Sequence, residues 1–562
     1  MSPPNVDVLV VGAGPTGLVA ALTLAQNGIP VRIIERLPEH LVGQRGAGIM
    51  PRVLEVYYFL GIQDDIKKIG YVTPFFKDWK DGKPTKTYPM TPILESTPTN
   101  PERRTWILGQ DAQCSILRGH LKSYGVEVEL ATELRRLDQD DGCVTAVVAQ
   151  TRNGEETESI ITAKYLVGAD GAKGVVRKLS NLHFLGETRD AARMLIAEAK
   201  ASGIDPNYWH KFGEAPNDVC LLSPTHRSST EGIYGLIMYG PNVIFSKALE
   251  DHDYVRQKVY DMTKIAELNI GEFENVSDYR PNIRVASGFR NGRLFVAGDA
   301  AHVHSFTGGQ GLNSGVMDSF NLGWKLALVC KGLATPVLLD SYNTERLPVI
   351  KEMLQRTTVL LNRTIASDNG RYVTVQPKDS ESPWQRPIWL NQLGVHYRWS
   401  PLVVDEAVDE LEERDKGKAE ELVASTYMVE EGGRLHAGDR APDVPGLVDL
   451  KTGSVMRLFD VFGPDHHTML VFTDGETASV LRALARLPPG LILTVVICSR
   501  DAHISDAPMI GADIVVQDKE GHAFPVYPTR IAVVRPDGVI GALVSGSEGV
   551  EKYFSGVLAA AL

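Results

Sequence analysis

The chain has 562 residues, 43% hydrophobic and 23% charged, a balance that excludes wholesale disorder; at roughly 150 residues per domain the length also excludes a single small module. Acidic side chains number 70 against 58 basic ones, a net charge of −12, and such a field repels polyanions and argues against nucleic acid as a partner. Cys114, Cys143, Cys220, Cys330 and Cys498 form no CxxC pair and no metal-ligand spacing, so neither a disulfide framework nor a metal site is expected.

Residues 1–7 lack the basic start and apolar stretch of a secretory leader, and no later apolar run suits a membrane span, so a soluble cytoplasmic protein is expected. Residues 8–11 are a continuous β-branched and leucine run, as in a strand covered on both faces of a parallel sheet. Gly12, Gly14 and Gly17 then fill the glycine positions of GxGxxG, and Pro15 stands near a helix start, where its missing N–H costs little. Leu18, Ala21, Leu22 and Ala25 recur at helical spacing, Asn27-Gly28 makes a C-cap, and residues 31–34 form a second strand that ends at Glu35.

Residues 73–104, rich in Pro, Thr and Lys, predict a long excursion over the surface or toward a substrate site. Residues 126–130 and 144–150 alternate like strands, and Asn153-Gly154 signals a hairpin, which together predict a three-stranded antiparallel insertion. Between 179 and 287 the β-rich runs 219–222, 233–239 and 243–245 predict an antiparallel sheet inserted as a second domain. A buried strand returns at 294–297, followed by a glycine-rich loop and a helix starting near Leu312. Residues 340–361 read as a long amphipathic helix, 407–424 as a charged helix and 432–443 as a linker. Apolar strands at 468–472, 492–498, 514–516 and 531–534 predict a compact C-terminal α/β domain.

A dinucleotide pyrophosphate needs backbone N–H donors at close range and the positive end of a helix. The strand, Gly12-x-Gly14-x-x-Gly17 turn and helix supply both, and Glu35 stands where a carboxylate accepts hydrogen bonds from the ribose. This pattern says dinucleotide without separating FAD from NAD.

Two later segments separate them by resemblance. Gly168-Ala169-Asp170-Gly171-Ala172-Lys173-Gly174 resembles the DG motif, and Ala297-Gly298-Asp299-Ala300-Ala301-His302 the GD motif, of the single-component FAD-dependent aromatic hydroxylases, the class A flavoprotein monooxygenases. Gly308-Gly309-Gln310-Gly311-Leu312-Asn313-Ser314-Gly315 and Asn321-Leu322-Gly323-Trp324-Lys325-Leu326 extend the match. The phenol-hydroxylase-like branch has a C-terminal thioredoxin-like domain, and its RPDG stretch is matched by Arg535-Pro536-Asp537-Gly538.

The resemblance implies an α/β protein with a discontinuous Rossmann-type FAD-binding domain at 1–180 and 287–400. An inserted antiparallel β-sheet substrate domain at 181–286, a helical linker at 401–431 and a thioredoxin-like domain at 432–562 complete it. The last holds only Cys498 and no CxxC, so disulfide exchange is not expected and a structural or dimerisation role, with a homodimer as the outcome, is. The implied cofactor is FAD, with NADPH or NADH as co-substrate. Oxygen adds to the reduced flavin as a C4a-hydroperoxide, which hydroxylates a small phenolic aromatic substrate, with oxidative decarboxylation left open. Dearomatisation, epoxidation and Baeyer–Villiger insertion also remain open. A flavin oxidase or dehydrogenase, and a non-catalytic flavin-fold binding protein, are the alternatives.

The cofactor-binding residues implied are Gly12, Gly14, Gly17, Glu35, Arg36, Arg45, Gln110, Asp170, Asp299, Gly309, Gly311, Leu312 and Asn313. Arg45 matches an arginine that contacts FAD phosphate, a pairing that guanidinium geometry favours, and Asp299 is placed for a ribityl hydroxyl. The inserted sheet offers Tyr208, Trp209, His210, His226, Arg227, Tyr234 and Tyr239 as pocket groups, and strand alternation favours Tyr234 and Tyr239 as the catalytic candidates. The chain departs from the family in two places: Phe306 replaces a usual proline, and Ala47 replaces the acidic residue that phenol hydroxylase has after its second strand.

Overall fold

The computed structural model describes residues 5–364 except 216, together with 367–368, 371–372, 384–409, 415, 417, 425–427, 433–473, 488–501 and 511–559. The charged helix expected at 407–424 lies almost wholly outside the described residues, as does much of the expected linker at 401–431.

The central sheet runs in the order Arg290–Asn291, Leu294–Val296, Glu155–Gly168, Val6–Val11, Val31–Ile34 and Val128–Glu129. All of these neighbours are parallel except the first pair. Val8, Leu9 and Val10 have no exposed surface, as an unbroken apolar strand requires. An antiparallel extension continues from Glu155–Gly168 through Val144–Arg152 to Thr132–Gln139. Its hairpin turns at Asn153 and Gly154, with φ of 52° and 84°, the paired positive values that match strand twist. Residues 126–130 are not part of this extension: Val128–Glu129 joins the parallel sheet beside Val31–Ile34.

Helix Pro15–Gln26 leaves the glycine turn and packs on the long helix Gln310–Cys330. A Cβ added at Gly315 would fall 2.3 Å from Thr16 Oγ1, and one at Gly323 2.6 Å from Thr23 Cγ2. These glycines let the two backbones approach, so both helix N-termini face one crevice.

A second sheet runs Asn269–Tyr279, Met194–Ser202, Ile233–Tyr239, Val219–Pro224, Tyr208–Phe212, Phe75–Lys80 and Lys83–Pro89. The stretch 73–104 is therefore not only an excursion, because it donates two strands to the inserted sheet. Asp81-Gly82, with φ of 49° and 72°, turns this hairpin, and Pro84 and Pro89 are tolerated because their strand is the edge. Residues 243–245 do not form a strand but lead into helix Phe245–Glu250. That helix and His252–Thr263 cover one face of the sheet, in a core with Leu195, Leu222 and Tyr234. The other face carries Phe76, Tyr88, Met194, Tyr239 and Trp384.

The last sheet has the order Val404–Asp405, Ile540–Val544, Ile531–Val534, His467–Thr473, Ile492–Cys498, Ile514–Asp518, Leu447–Asp449 and Val455–Met456. His467–Thr473, Ile492–Cys498 and Ile514–Asp518 are mutually parallel, and Ile531–Val534 returns antiparallel. The turn 535–538 that follows docks on the first domain: Arg52 Nη2 donates to the carbonyls of Asp537 at 2.8 Å and Gly538 at 3.2 Å. Among the described residues no helix is long and apolar enough to cross a membrane.

Candidate active site

The three glycines of the first turn meet three different constraints. At Gly12 (φ 103°) a Cβ would sit 2.4 Å from the Ala169 carbonyl oxygen, and at Gly17 2.0 Å from that of Gly12, so these two are demanded by the turn and by strand–helix packing. At Gly14 no protein atom lies within 4 Å of such a Cβ. The protein leaves that space open, as it must where backbone approaches a pyrophosphate.

Gly14 opens on a cleft of about 430 Å³ lined by Glu35, Arg45, Gln110, Cys114 and Arg118 among others. Glu35 accepts the N–H of Ala13 at 3.0 Å and of Leu37 at 3.1 Å, which holds its carboxylate at the end of the second strand. Arg36 does not line the cleft and is exposed. Of the pair, Glu35 is the one that reaches the cleft. Arg118 escaped the sequence reading, although Gln110, Cys114 and Arg118 recur every four residues on helix Gln110–Ser123, one face of which is the cleft wall.

Arg45 sits on the loop 43–47 with φ of 39°, an uncommon conformation for a non-glycine residue that the surroundings must impose. Gly43 N–H donates to Asp111 Oδ2 at 3.0 Å and Gln44 N–H to Glu198 Oε1 at 2.6 Å. Glu198 belongs to the second sheet, so the arginine loop is stretched between two domains.

Asp299 follows the buried strand Leu294–Val296. Protein closes round it on nearly every side, and burial pushes its carboxyl up, yet it keeps open surface. A carboxylate both surrounded and accessible faces an interior space. Gly311 lies beside it: its Cβ would be 3.2 Å from His304 Nε2 and 3.9 Å from Asp299 Oδ1. His304 Nδ1 stands 2.6 Å from the Ser305 carbonyl oxygen, which assigns the proton to Nδ1 and leaves the buried Nε2 without a partner. Burial pulls this imidazole down to about 4, so it is neutral at physiological pH. Gly309, in the left-handed region at φ 60°, starts the helix Gln310–Cys330, whose first N–H groups, those of Gly311 and Leu312 among them, are unpaired within the helix.

Asn313 differs from expectation. Its Nδ2 donates to the carbonyls of Gly48 at 2.8 Å and Gly309 at 2.7 Å, and its Oδ1 accepts from Met50 N–H at 2.8 Å. Both Nδ2 hydrogens and one lone pair of Oδ1 are spent on holding three backbone segments together, which gives this buried amide a structural role. Asp170 likewise caps the helix Val176–Leu179 through Val175 N–H at 2.6 Å and Val176 N–H at 3.0 Å, with Oδ1 buried and unpartnered.

Asp318 was not anticipated. Its Oδ2 accepts from Gly298 N–H at 3.0 Å and lies 2.7 Å from His302 Nε2, while Oδ1 accepts from Arg346 Nε at 2.8 Å. Burial opposes the charge, but Arg346 and His302 outweigh it and hold this carboxyl at about 2. The turn bearing Asp299 is thus tied to the long helix by a permanent anion. A single buried Asp in mid-helix carries no sequence signal of such a role.

The expected tyrosines separate. Tyr239 stands on the sheet face where Phe306, Trp209 and Met90 pack. Tyr234, five residues away and therefore on the opposite face, is buried in the core under the covering helices, its hydroxyl donating to the Ile204 carbonyl at 3.4 Å. It is withdrawn as a catalytic candidate. His210 accepts from Trp79 Nε1 at 2.9 Å and contacts the Asp205 carbonyl at 2.7 Å, a structural arrangement, and Arg227 is engaged by Glu231 and Glu274. Phe306 stacks edge-on against Tyr279, 5.8 Å between centroids. It lies between the loop 308–310 and the sheet.

Open space at Gly14, an interior-facing Asp299 and an unsatisfied helix start fit an elongated flavin dinucleotide with its phosphates at the first helix. Comparison with known proteins agrees. Residues 5–357 match the family model described as FAD binding domain. A flavin-dependent monooxygenase of Mycobacteroides abscessus is 31% identical over 563 residues, covering 98% of this chain and all of that one (100%). Pentachlorophenol 4-monooxygenase of Sphingobium chlorophenolicum is 27% identical over 491 residues, 85% of this chain and 83% of its own. In fold, a flavin-dependent monooxygenase solved with FAD and substrate superposes with a TM-score of 0.75 at 23% identity, over 99% of both chains. Aklavinone-11 hydroxylase, solved with FAD and aklavinone, gives 0.74 at 23% identity, over 99% of this chain and 100% of that one.

Proposed function

The chain belongs to the family of FAD-dependent aromatic hydroxylases and monooxygenases, and on that premise we propose that it spends NAD(P)H and O2 to hydroxylate a phenolic aromatic compound. One oxygen atom enters the ring and the other leaves as water, with two electrons taken from the nicotinamide. Bound FAD supplies the redox and oxygen-activating chemistry; this chain's residues bind, orient and exclude water. Gly14, Glu35 and Arg45 hold the diphosphate and ribose, and Asp299 the ribityl chain. The N–H groups of Gly311 and Leu312, at the positive end of the long helix, stabilise negative charge on the pyrimidine edge.

The observation that carries the reading is the meeting of the loop 308–310 with the aromatic face of the second sheet through Phe306. Oxygen transfer needs a dry place of this kind beside the flavin. In this reading residues 1–180 and 287–400 bind FAD, 181–286 with the hairpin 75–89 form the substrate wall, and 432–562 is a thioredoxin-like domain of structural purpose. Purified protein reconstituted with FAD should oxidise NADPH faster with a suitable phenol, and the product should carry one atom of label from 18O2. Stimulated oxidation that yields only peroxide or a dehydrogenated product would move the enzyme to the oxidase or dehydrogenase class.

A further inference from the structure

The aromatic face of the second sheet contains a cation for which the described residues offer no counter-charge. Arg386 enters between Met90, whose carbonyl accepts its backbone N–H at 2.8 Å, and Leu390, whose carbonyl accepts from Gln310 Nε2 at 3.0 Å and whose Cδ2 abuts Gly308. It therefore sits between the sheet and the loop 308–310. The guanidinium lies 5.6 Å from the Trp384 ring, and its Nη1 is buried without a hydrogen-bond partner. Among the described residues no carboxylate pairs with it, and burial pulls it down to about 10, with only Tyr239 and Tyr88 acting the other way. The same cluster holds a second orphan donor, the buried Nε1 of Trp209, whose ring meets Phe76 edge-on at 5.7 Å as Trp384 does at 6.0 Å.

A guanidinium nitrogen buried without an acceptor is costly, and contact with an aromatic face offsets only part of that cost. Native interiors pair such groups. Two donors in one aromatic box call for acceptors carried on an aromatic body, and a guanidinium calls for a charged one. A shallow surface cleft, lined by Phe75, Pro89, Met90, Arg104 and Thr105 among others, adjoins the box at Met90.

We propose that Arg386 is the substrate-recognition residue, and that the aromatic compound it selects carries an acidic oxygen, a carboxylate or an ionised phenol, with Trp209 donating to a further acceptor. This rests on the hydroxylase reading above and names its substrate class.

The test uses full-length, FAD-loaded enzyme and matched probes: 3-hydroxybenzoate against its methyl ester, and 4-nitrophenol at alkaline pH against 4-nitroanisole. Binding is read from the perturbed flavin spectrum. Wild type should prefer the acidic member of at least one pair, and the pair that responds names the acid. Arg386→Met should weaken that member about 10- to 100-fold and leave the neutral one alone, while Arg386→Lys recovers part of the loss. Without ligand, Arg386→Met should melt no lower than wild type, because it removes a buried donor that has no acceptor. A structural arginine predicts the reverse: a lower melting temperature and equal weakening of both members. That result, equal affinity within both pairs, or failure of every acidic probe to bind wild type would overturn the proposal. Product analysis runs separately: selective loss in Arg386→Met with no oxygenated product sustains the recognition role and sinks the hydroxylase reading. Oxygenation of neutral and acidic probes alike in both proteins does the opposite.

Discussion

Glu345 and Arg535, 190 positions apart, meet as a bidentate pair with both side chains fully buried, Nη1 to Oε1 at 2.8 Å and Nη2 to Oε2 at 2.9 Å. Lys325 Nζ adds a bond to Glu345 Oε2 at 2.7 Å, and Asp537 takes Arg535 Nη2 at 2.6 Å. Two cations and two carboxylates thus neutralise one another where the long helix of the first domain meets the turn 535–538 of the last. Burial alone would raise the Glu345 carboxyl, but Arg535 and Lys325 hold it well below the carboxylate range. Burial pulls Lys325 down to about 8. Arg535→Met should cost about 3–5 kcal/mol, the usual penalty for leaving a buried charge uncompensated. Urea unfolding should also show the Glu345→Gln/Arg535→Met double variant losing less than the sum of the single ones. Strict additivity would show that the two groups do not act as a pair.

Much of this molecule was legible in the sequence because its signals are local. The glycine turn, the hairpin at Asn153-Gly154 and the four strands expected at 468–472, 492–498, 514–516 and 531–534 each carry their own pattern and stand where expected, whereas the other four strands of that sheet, Val404–Asp405 in the expected helical linker among them, were not anticipated. What was not legible depends on distant partners. Nothing near Asp318 announces Arg346 or His302, and nothing near Asn313 announces that Gly48 and Met50 consume its amide. The hairpin at Asp81-Gly82 had a local signal, masked by the prolines of an edge strand. Tyr234 and Tyr239 could not be told apart because alternation gives relative faces and not which face is covered by helices.

Gly14 and Gly17 should separate ligand binding from folding. Alanine at 14 meets no protein atom within 4 Å, so the apoprotein should melt as wild type does, while the FAD dissociation constant rises at least about tenfold, or 1.4 kcal/mol. Alanine at 17 meets the Gly12 carbonyl at 2.0 Å and should destabilise the apoprotein itself. Flavin fluorescence titration and thermal melts of both variants decide this. A Gly14→Ala protein that binds FAD normally would remove the phosphate assignment.

Glu35→Ala extends the same logic to the ribose. The carboxylate accepts from Ala13 and Leu37 and keeps lone pairs toward the cleft, so its loss should weaken FAD by about 1.5–3 kcal/mol, the range of a charge-assisted hydrogen bond. Retention of flavin through gel filtration at wild-type levels would contradict it.

Tyr239→Phe and Tyr234→Phe test the sheet faces. Tyr239 lies on the Phe306 face, so losing its hydroxyl should change the ratio of oxygenated product to NADPH consumed, with flavin content unchanged. Tyr234 lies under the covering helices, so Tyr234→Phe should leave that ratio alone and alter stability by about 1 kcal/mol at most. The opposite pattern would mean that the substrate occupies the helix side of the sheet.

His467 makes the fold acid-sensitive in a direction that follows from its burial. The ring is fully buried, both nitrogens lack partners, and it is boxed edge-on by Trp324 at 5.4 Å, Tyr553 at 5.9 Å and Phe554 at 5.5 Å. Burial, with Arg535 and His466 nearby, pulls it from 6.5 to about 3. At pH 7.5 it is neutral both folded and unfolded and contributes no pH dependence. Below pH 6.5 only the unfolded chain takes up the proton, so stability falls as pH falls, by about 1.4 kcal/mol per unit from this group, until the folded form also protonates near 3. His467→Phe keeps the aromatic box and removes the proton site. Between pH 6.5 and 5 its unfolding free energy should therefore gain about 2 kcal/mol relative to wild type, read from urea midpoints at each pH. Parallel curves for the two proteins would mean that the imidazole reaches water in the folded state.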